Sequence, residues 1–278
     1  LPIKLIALDI DGTLLDSHGI VPDANRAALD RAMAMGIHVV LATGRRFDFA
    51  RPIFETLPGP LTLILSNGAI VKTREGETLM RNLLPREMAR AALQRAPQHR
   101  ETAAVVFDRP LEGQVVFETV DWGDPHHSPY FHANRPFISE IRPLEDALVE
   151  DPVQVMFTGG CADMRDLFAT LGEDDAMYSV ALTEYLHRDF SLVDVVRAGC
   201  SKGSALRAWA EARGLSADEV VAVGDNLNDL QMLEFAGTPV LMGNALQELK
   251  DRGWMVTGTN DEAGVAAALE TLVFRKAS

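Results

Sequence analysis

Three short apolar runs, each ending at a polar residue, constrain the fold of this chain more than any other feature. They are Leu5–Leu8 before Asp9, Ile37–Ala42 before Thr43, and Val220–Val223 before Gly224-Asp225. Near-continuous runs of this kind suit strands buried on both faces, as in a parallel sheet covered by helices. A fourth candidate, Leu61–Leu65, ends at Ser66-Asn67-Gly68. The connecting segments carry helix punctuation. Pro22 and Asp23 open the run Ala24–Met35, which closes at Gly36. Ser201–Arg213 ends at Gly214 and places Leu206, Trp209 and Ala210 on one face. Ser216-Ala217-Asp218-Glu219 matches a capping box at the start of a short successor. The expected fold class is therefore α/β, a doubly wound and mainly parallel sheet.

The middle of the chain reads differently. Ala103–Phe107 and Val115–Glu118 resemble the arms of a hairpin, and Val153–Phe157 and Tyr178–Leu182 flank a stretch, Ala162–Leu171, in which Met164, Leu167, Phe168 and Leu171 recur at helical spacing. That spacing predicts core packing. The pattern predicts an α+β unit over residues 86–187, inserted into a discontinuous α/β unit of residues 1–85 and 188–278, with Asp124–Pro136 as a loop.

Charge narrows the function. With 26 Lys and Arg against 40 Asp and Glu, the chain carries a formal charge of −14 and shows no basic patch, so nucleic acid is not the expected partner. No stretch reaches the ~18 continuous apolar residues of a membrane helix, and the first residues lack a signal-peptide pattern. A cytoplasmic protein is expected. Cys161 and Cys200 have no metal-type spacing and are expected to be buried free thiols.

In an open α/β sheet, ligands bind beyond the carboxyl ends of the strands. Asp9, Asp11, Thr43, Gly44 and Asp225 all follow such ends. Any one aspartate there is ordinarily a cap or turn residue; several on one edge repel each other unless a cation joins them. Hard oxygen donors without clustered His or Cys favour Mg²⁺ over zinc or copper.

Four segments in order, Asp9-Ile10-Asp11-Gly12-Thr13, Thr43-Gly44-Arg45, Ser201-Lys202-Gly203 and Gly224-Asp225-Asn226-Leu227-Asn228-Asp229, closely resemble the motifs of the haloacid dehalogenase-like hydrolases, specifically the Cof-type phosphatases. The resemblance covers most of residues 1–83 and 190–278, including Ser66-Asn67-Gly68-Ala69 and Gly243-Asn244-Ala245. It implies that Asp9 is a nucleophile forming an aspartyl-phosphate, and that Asp11 is first general acid and then base. It implies Mg²⁺ held by Asp9, Asp225 and the Asp11 backbone carbonyl. Thr43 and the Gly44 amide would bind phosphate, together with the amides of Ile10 and Asp11 and the side chain of Asn228. Lys202 would bridge phosphate and Asp9, and Asp229 would support Lys202 or the metal's waters from behind. The inserted unit would be a cap that chooses the leaving group.

The activity so implied is Mg²⁺-dependent hydrolysis of small phosphorylated metabolites such as sugar phosphates, nucleotides or cofactor phosphates. A phosphotransferase or mutase acting on sugar phosphates, or a phospholigand sensor without catalysis, would use the same residues. Competing motifs fail on spacing: the segment around Lys202 lacks the GK[ST] order of a Walker loop, and there is no GxGxxG. His126-His127 reads as loop surface. His187, Arg188 and Arg135 lie in or beside the inserted region, where they could meet substrate.

Overall fold

The computed structural model describes residues 2–123, 128–173 and 176–275. Among these, the strands form two sheets. In chain order they are β1 (Leu5–Leu8), β2 (His38–Ala42), β3 (Thr62–Leu65), β4 (Ile70–Thr73), β5 (Thr78–Arg81), β6 (Ala104–Val106), β7 (Val115–Phe117), β8 (Ile138–Glu140), β9 (Gln154–Gly159), β10 (Tyr178–Tyr185), β11 (Phe190–Arg197), β12 (Val220–Gly224), β13 (Thr238–Leu241) and β14 (Met255–Val256). The chain divides into two compact units. One holds the described residues up to Arg81 and from Ser201 onward; the other lies between Asn82 and Cys200.

The first unit is built on a sheet of order β14-β13-β12-β1-β2-β3-β4-β5. β1 runs parallel to both neighbours, pairing Leu8 with Leu41 of β2 and with Val223 of β12. β3 continues the parallel set, and β4 and β5 close that side antiparallel. The residues after Leu8, Ala42, Leu65 and Gly224 therefore emerge along one edge. Burial explains the unalternated runs: Leu5, Ile6, Ala7 and Leu8 are all 0% exposed. Leu5, Ala7, Val40, Ala42, Val220 and Ala222 belong to one core with Leu206, Trp209 and Ala210 of helix Lys202–Glu211 and Met232 and Leu233 of helix Leu230–Phe235. The alternate residues Ile6, Leu8, Val39 and Leu41 are equally covered, and helix Asp23–Ala34 lies against β2.

Helix Lys202–Glu211 starts at a reciprocal cap. Ser201 Oγ accepts from the Ser204 amide at 3.0 Å, and the Ser201 amide donates to Ser204 Oγ at 2.9 Å. A side chain at Gly203 would put its Cβ 2.4 Å from the carbonyl of Gln231, so only glycine allows this helix to close on helix Leu230–Phe235. That approach seats the neighbouring Lys202.

The second unit has a sheet of order β10-β11-β9-β6-β7-β8, antiparallel except for the β7–β8 pair. Helix Cys161–Gly172 buries Met164, Leu167 and Leu171, three of the four residues of the expected stripe, and Phe168 is half-buried. No described helix is long and apolar enough to cross a membrane.

Three expectations need correction. Residues 188–200 and 82–85 were expected in the first unit, but β11 pairs along its length with β10 and β9, and the Leu84 amide donates to Pro152 O at 2.9 Å; both segments belong to the second unit. The expected loop over Asp124–Pro136 contains a helix, Ser128–Ala133, and a single turn from Arg135, where Phe131 packs into the apolar cluster with Phe117 and Ile138. His126-His127 lies outside the described residues. Cys200 is buried as expected, whereas Cys161 is partly exposed; both are free thiols.

Replacing Gly203 with alanine forces the two helices apart. We expect Gly203→Ala to lower the urea midpoint by an amount equivalent to about 1–3 kcal/mol, with the denaturant slope unchanged. An unaltered midpoint would mean that the helix pair has room to spare.

Candidate active site

The β1 run delivers Asp9 to the sheet edge, where its amide donates to Val223 O of β12 at 3.0 Å. The chain then turns through Gly12 at φ +80°, and a Cβ there would fall 2.4 Å from Asp225 Oδ2. Glycine is required both for the left-handed backbone and for the close approach. Thr13 Oγ1 donates to Asp225 Oδ1 at 2.8 Å, so the loops after β1 and β12 are joined side chain to side chain.

Lys202 enters from the first turn of its helix. Its Nζ donates to Asp9 Oδ1 at 2.6 Å and to Asp229 Oδ1 at 2.7 Å, and the Lys202 and Asp229 side chains are both 0% exposed. Asp229 Oδ2 accepts the amides of Asp225 and Asn226, each at 3.0 Å. Both Asp229 oxygens are thus taken by donors of the protein. One carboxylate oxygen from each of Asp9, Asp225 and Asp229 lies within 4.8 Å of the others.

One ammonium among three buried carboxylates leaves this cluster with excess negative charge. Burial first, then the charge of Asp229, pushes Asp9 up to about 8 against the pull of Lys202. Burial and the neighbouring Asp9 and Asp229 hold Asp225 well above the usual carboxylate range. For Lys202, burial works against the charged form, but Asp229 and Asp9 outweigh it and its pKa is raised. A set of hard oxygen donors, water-excluded and short of positive charge, fits a divalent cation of the Mg²⁺ kind.

Asp11 points elsewhere. Its carboxylate forms a two-point pair with Arg45, Nε to Oδ2 at 2.7 Å and Nη2 to Oδ1 at 2.6 Å, and the guanidinium lies 4.3 Å from the Phe49 ring centre. Thr43, 1% exposed, follows β2, and its Oγ1 accepts the Arg45 amide at 3.1 Å. Gly44 packs beside Asn67: a Cβ on it would meet Asn67 Nδ2 at 3.3 Å. Asn228 Nδ2 donates to Asn67 Oδ1 at 3.1 Å. Ile10 is buried in the turn next to Asp9.

The structure therefore gathers Asp9, Asp225, Asp229 and Lys202 into one bonded group, with Asp11 paired to Arg45 and with Thr43, Gly44 and Asn228 linked through the 66–68 turn. In the second unit, Arg135 stacks 4.7 Å over Trp122 and Arg188 Nε donates to His187 Nε2 at 3.0 Å. Sequence reasoning gave no role to Thr13, Arg45, Asn67 or Asn244. Each nevertheless stands inside a motif segment already singled out, so that pattern was the available signal. The Asn244 Nδ2 donates to Gly12 O at 2.8 Å.

The family model for haloacid dehalogenase-like hydrolases matches residues 6–269. A 5-amino-6-(5-phospho-D-ribitylamino)uracil phosphatase of Bacillus subtilis is 27% identical, over 97% of this chain and 98% of its own. A pyridoxal phosphate phosphatase of Escherichia coli is 29% identical, over 95% of this chain and 96% of its own. Among solved structures, a haloacid dehalogenase-like hydrolase from B. subtilis has a TM-score of 0.80 at 26% identity, covering 97% of this chain and all (100%) of that one. With the acid cluster at the carboxyl edge of its parallel sheet and a family match spanning almost its whole length, the chain belongs to the haloacid dehalogenase-like hydrolases.

Proposed function

We propose that the protein is a Mg²⁺-dependent phosphatase that hydrolyses phosphate monoesters of small metabolites through an aspartyl-phosphate on Asp9. The observation that carries this reading is the buried Lys202 ammonium held between Asp9 and Asp229, beside Asp225, at the sheet edge where α/β proteins bind ligands. Substrate class follows from the relatives: the two named above act, by their names, on pyridoxal phosphate and on a ribitylaminouracil phosphate. Sugar phosphates, nucleotides and cofactor phosphates share that chemistry.

Lys202 fixes Asp9 through Oδ1, so the carboxylate is oriented before substrate arrives and Oδ2 is the attacking oxygen. A bound Mg²⁺, held by Asp9, Asp225 and the Asp11 carbonyl, would neutralise charge between carboxylate and phosphate. Asp9 forms its bond to phosphorus as the bond to the leaving oxygen breaks, and Asp11 supplies that oxygen with a proton. For this, one Asp11 oxygen leaves its Arg45 contact, takes up a proton from solvent as substrate binds, and turns to the leaving oxygen. Asp11 then takes a proton from water, which attacks phosphorus, freeing inorganic phosphate and restoring Asp9. Thr43, the Gly44, Ile10 and Asp11 amides, Asn228 and Lys202 are the proposed phosphoryl ligands. Asp229 acts through Lys202 and through the backbone of Asp225. Residues 82–200, which hold no member of this cluster, are read as the unit that selects the leaving group.

A screen of phosphorylated metabolites with Mg²⁺ should find small monoesters that release inorganic phosphate in step with substrate loss. Asp9→Asn should lower kcat/KM on the order of 10³-fold or more, because the remaining groups cannot form the intermediate. Appearance of isomeric sugar phosphates in place of inorganic phosphate would make the protein a transferase, and full activity in Asp9→Asn would end the covalent scheme.

Removal of divalent cations with a chelator should abolish release, and Mg²⁺ should restore it. The same addition should raise the melting temperature, since a ligand at 100 times its Kd stabilises by about 2.7 kcal/mol. A melting temperature and a rate that both ignore Mg²⁺ would contradict the assignment of the acid cluster.

A further inference from the structure

The turn that carries Asp9, Asp11 and Gly12 is held by side chains from outside it. Asn25 Nδ2 donates to Leu14 O at 3.3 Å, Asn260 Nδ2 to Leu15 O at 2.9 Å and Asn244 Nδ2 to Gly12 O at 2.8 Å. Just beyond, the Ser17 amide donates to Asp261 Oδ1 at 2.7 Å. Asn25 and Asn260 are buried and fasten the far half of the turn to the body of the unit; Asn25 Oδ1 also accepts the Ala266 amide at 2.9 Å.

Asn244 differs in what it joins. It lies in the stretch after β13, where the Met242 amide donates to Gly224 O at 3.1 Å and the Leu246 amide to Asp225 O at 3.0 Å. The stretch that reaches the Asp9 turn thus also holds the backbone on which Asp225 stands. Asn244 is fixed in turn: its Oδ1 accepts the Asn260 amide at 2.9 Å, and Lys250 Nζ donates to the carbonyl of the preceding Gly243 at 2.6 Å. The Gly12 carbonyl belongs to the peptide unit leading into Thr13, whose hydroxyl binds Asp225 Oδ1 at 2.8 Å. One amide group therefore bears on both acid-carrying loops.

We propose that Asn244 is a positioning residue for the divalent cation, one whose amide sets the spacing between Asp9 and Asp225. The inference rests on the metal-dependent reading above. Asn244 is itself exposed, so its loss opens no cavity. Without it the Gly12 carbonyl turns to water, while Asn25 and Asn260 keep the rest of the turn in place. The fold survives, and the two carboxylates lose their fixed separation. Partners that orient metal ligands from behind are generally worth 10–100-fold in affinity, roughly, when removed.

The test is a calorimetric titration of Mg²⁺ into the full chain, wild type and Asn244→Ala, beside the metal-free melting temperature and phosphate release from p-nitrophenyl phosphate at increasing Mg²⁺. Affinity for Mg²⁺ should fall about tenfold. The metal-free melting temperature should stay within about 2 °C, and kcat should recover at saturating Mg²⁺. Identical isotherms for the two proteins would overturn the role of Asn244 and leave the phosphatase reading standing. A lowered melting temperature with activity that Mg²⁺ does not restore would overturn it as well, in favour of a structural role. A wild-type chain that takes up no Mg²⁺ would remove both readings together.

Discussion

A lysine ammonium with no access to water survives only where carboxylates replace its hydration, and the rest of this site is arranged around that requirement. Withdrawing an ion from water costs several kcal/mol, roughly, even after the protein relaxes. Lys202 recovers that cost from Asp9 and Asp229, and Asp229 spends its second oxygen on the amides of Asp225 and Asn226. The result is one bonded chain from the end of β1, through the start of a helix, to the end of β12. Removal of Lys202 would leave two buried carboxylates, Asp9 and Asp229, without their shared cation. The helix cap at Ser201 and the contact at Gly203 matter for the same reason, since they decide where the ammonium sits.

The chain of bonds stabilises the site but does not neutralise it. Two of the three carboxylates share the single ammonium of Lys202; Asp225 has a hydroxyl and the Gly12 turn pressed against it, with no cation of its own. Burial first, and then that residual charge, pushes Asp9 and Asp225 upward. A fold that merely wanted stability would fill this edge with apolar side chains, because replacing buried ions by well-packed hydrophobic groups is commonly neutral or favourable. Uncompensated carboxylates at the end of an otherwise apolar sheet are therefore the mark of a ligand of opposite charge.

Legibility in the sequence followed burial. β1, β2, β3 and β12 could be read because strands covered on both faces leave unbroken apolar runs. β5 and β14 could not, because edge strands with exposed residues such as Leu79 and Val256 carry no such pattern. β11 was misplaced for another reason: Asp194 interrupts its run. Burial of that carboxylate is tolerated because Gln154 Nε2 donates to it from β9 at 2.8 Å, a partner 40 positions away. The site shows the same limit. The strand-end positions of Asp9, Thr43 and Asp225 were visible. The pairing of Arg45 with Asp11, the bond from Thr13 to Asp225 and the placement of Asn244 depend on contacts that span up to 232 positions, which no local pattern encodes.

Water divides the site into two halves with different work to do. Lys202 and Asp229 have side chains that are 0% exposed, and Asp9 is close behind at 6%. Asp11 and Arg45 are 25% and 20% exposed. In the proposed reaction the dry half holds charges that must not move, where each ionic contact is stronger for the absence of water. The wetter half holds the group that must give up a proton and later regain one, and a carboxylate sealed like Asp229 could not exchange protons with solvent between turnovers. Asp9 stands at the boundary: one oxygen is tied into the dry half by Lys202, and in the proposed reaction the other attacks phosphorus. The same turn serves both because Gly12 reverses the backbone after the two acids, bringing the Thr13 hydroxyl back onto Asp225 while Asp11 stays at the rim with Arg45.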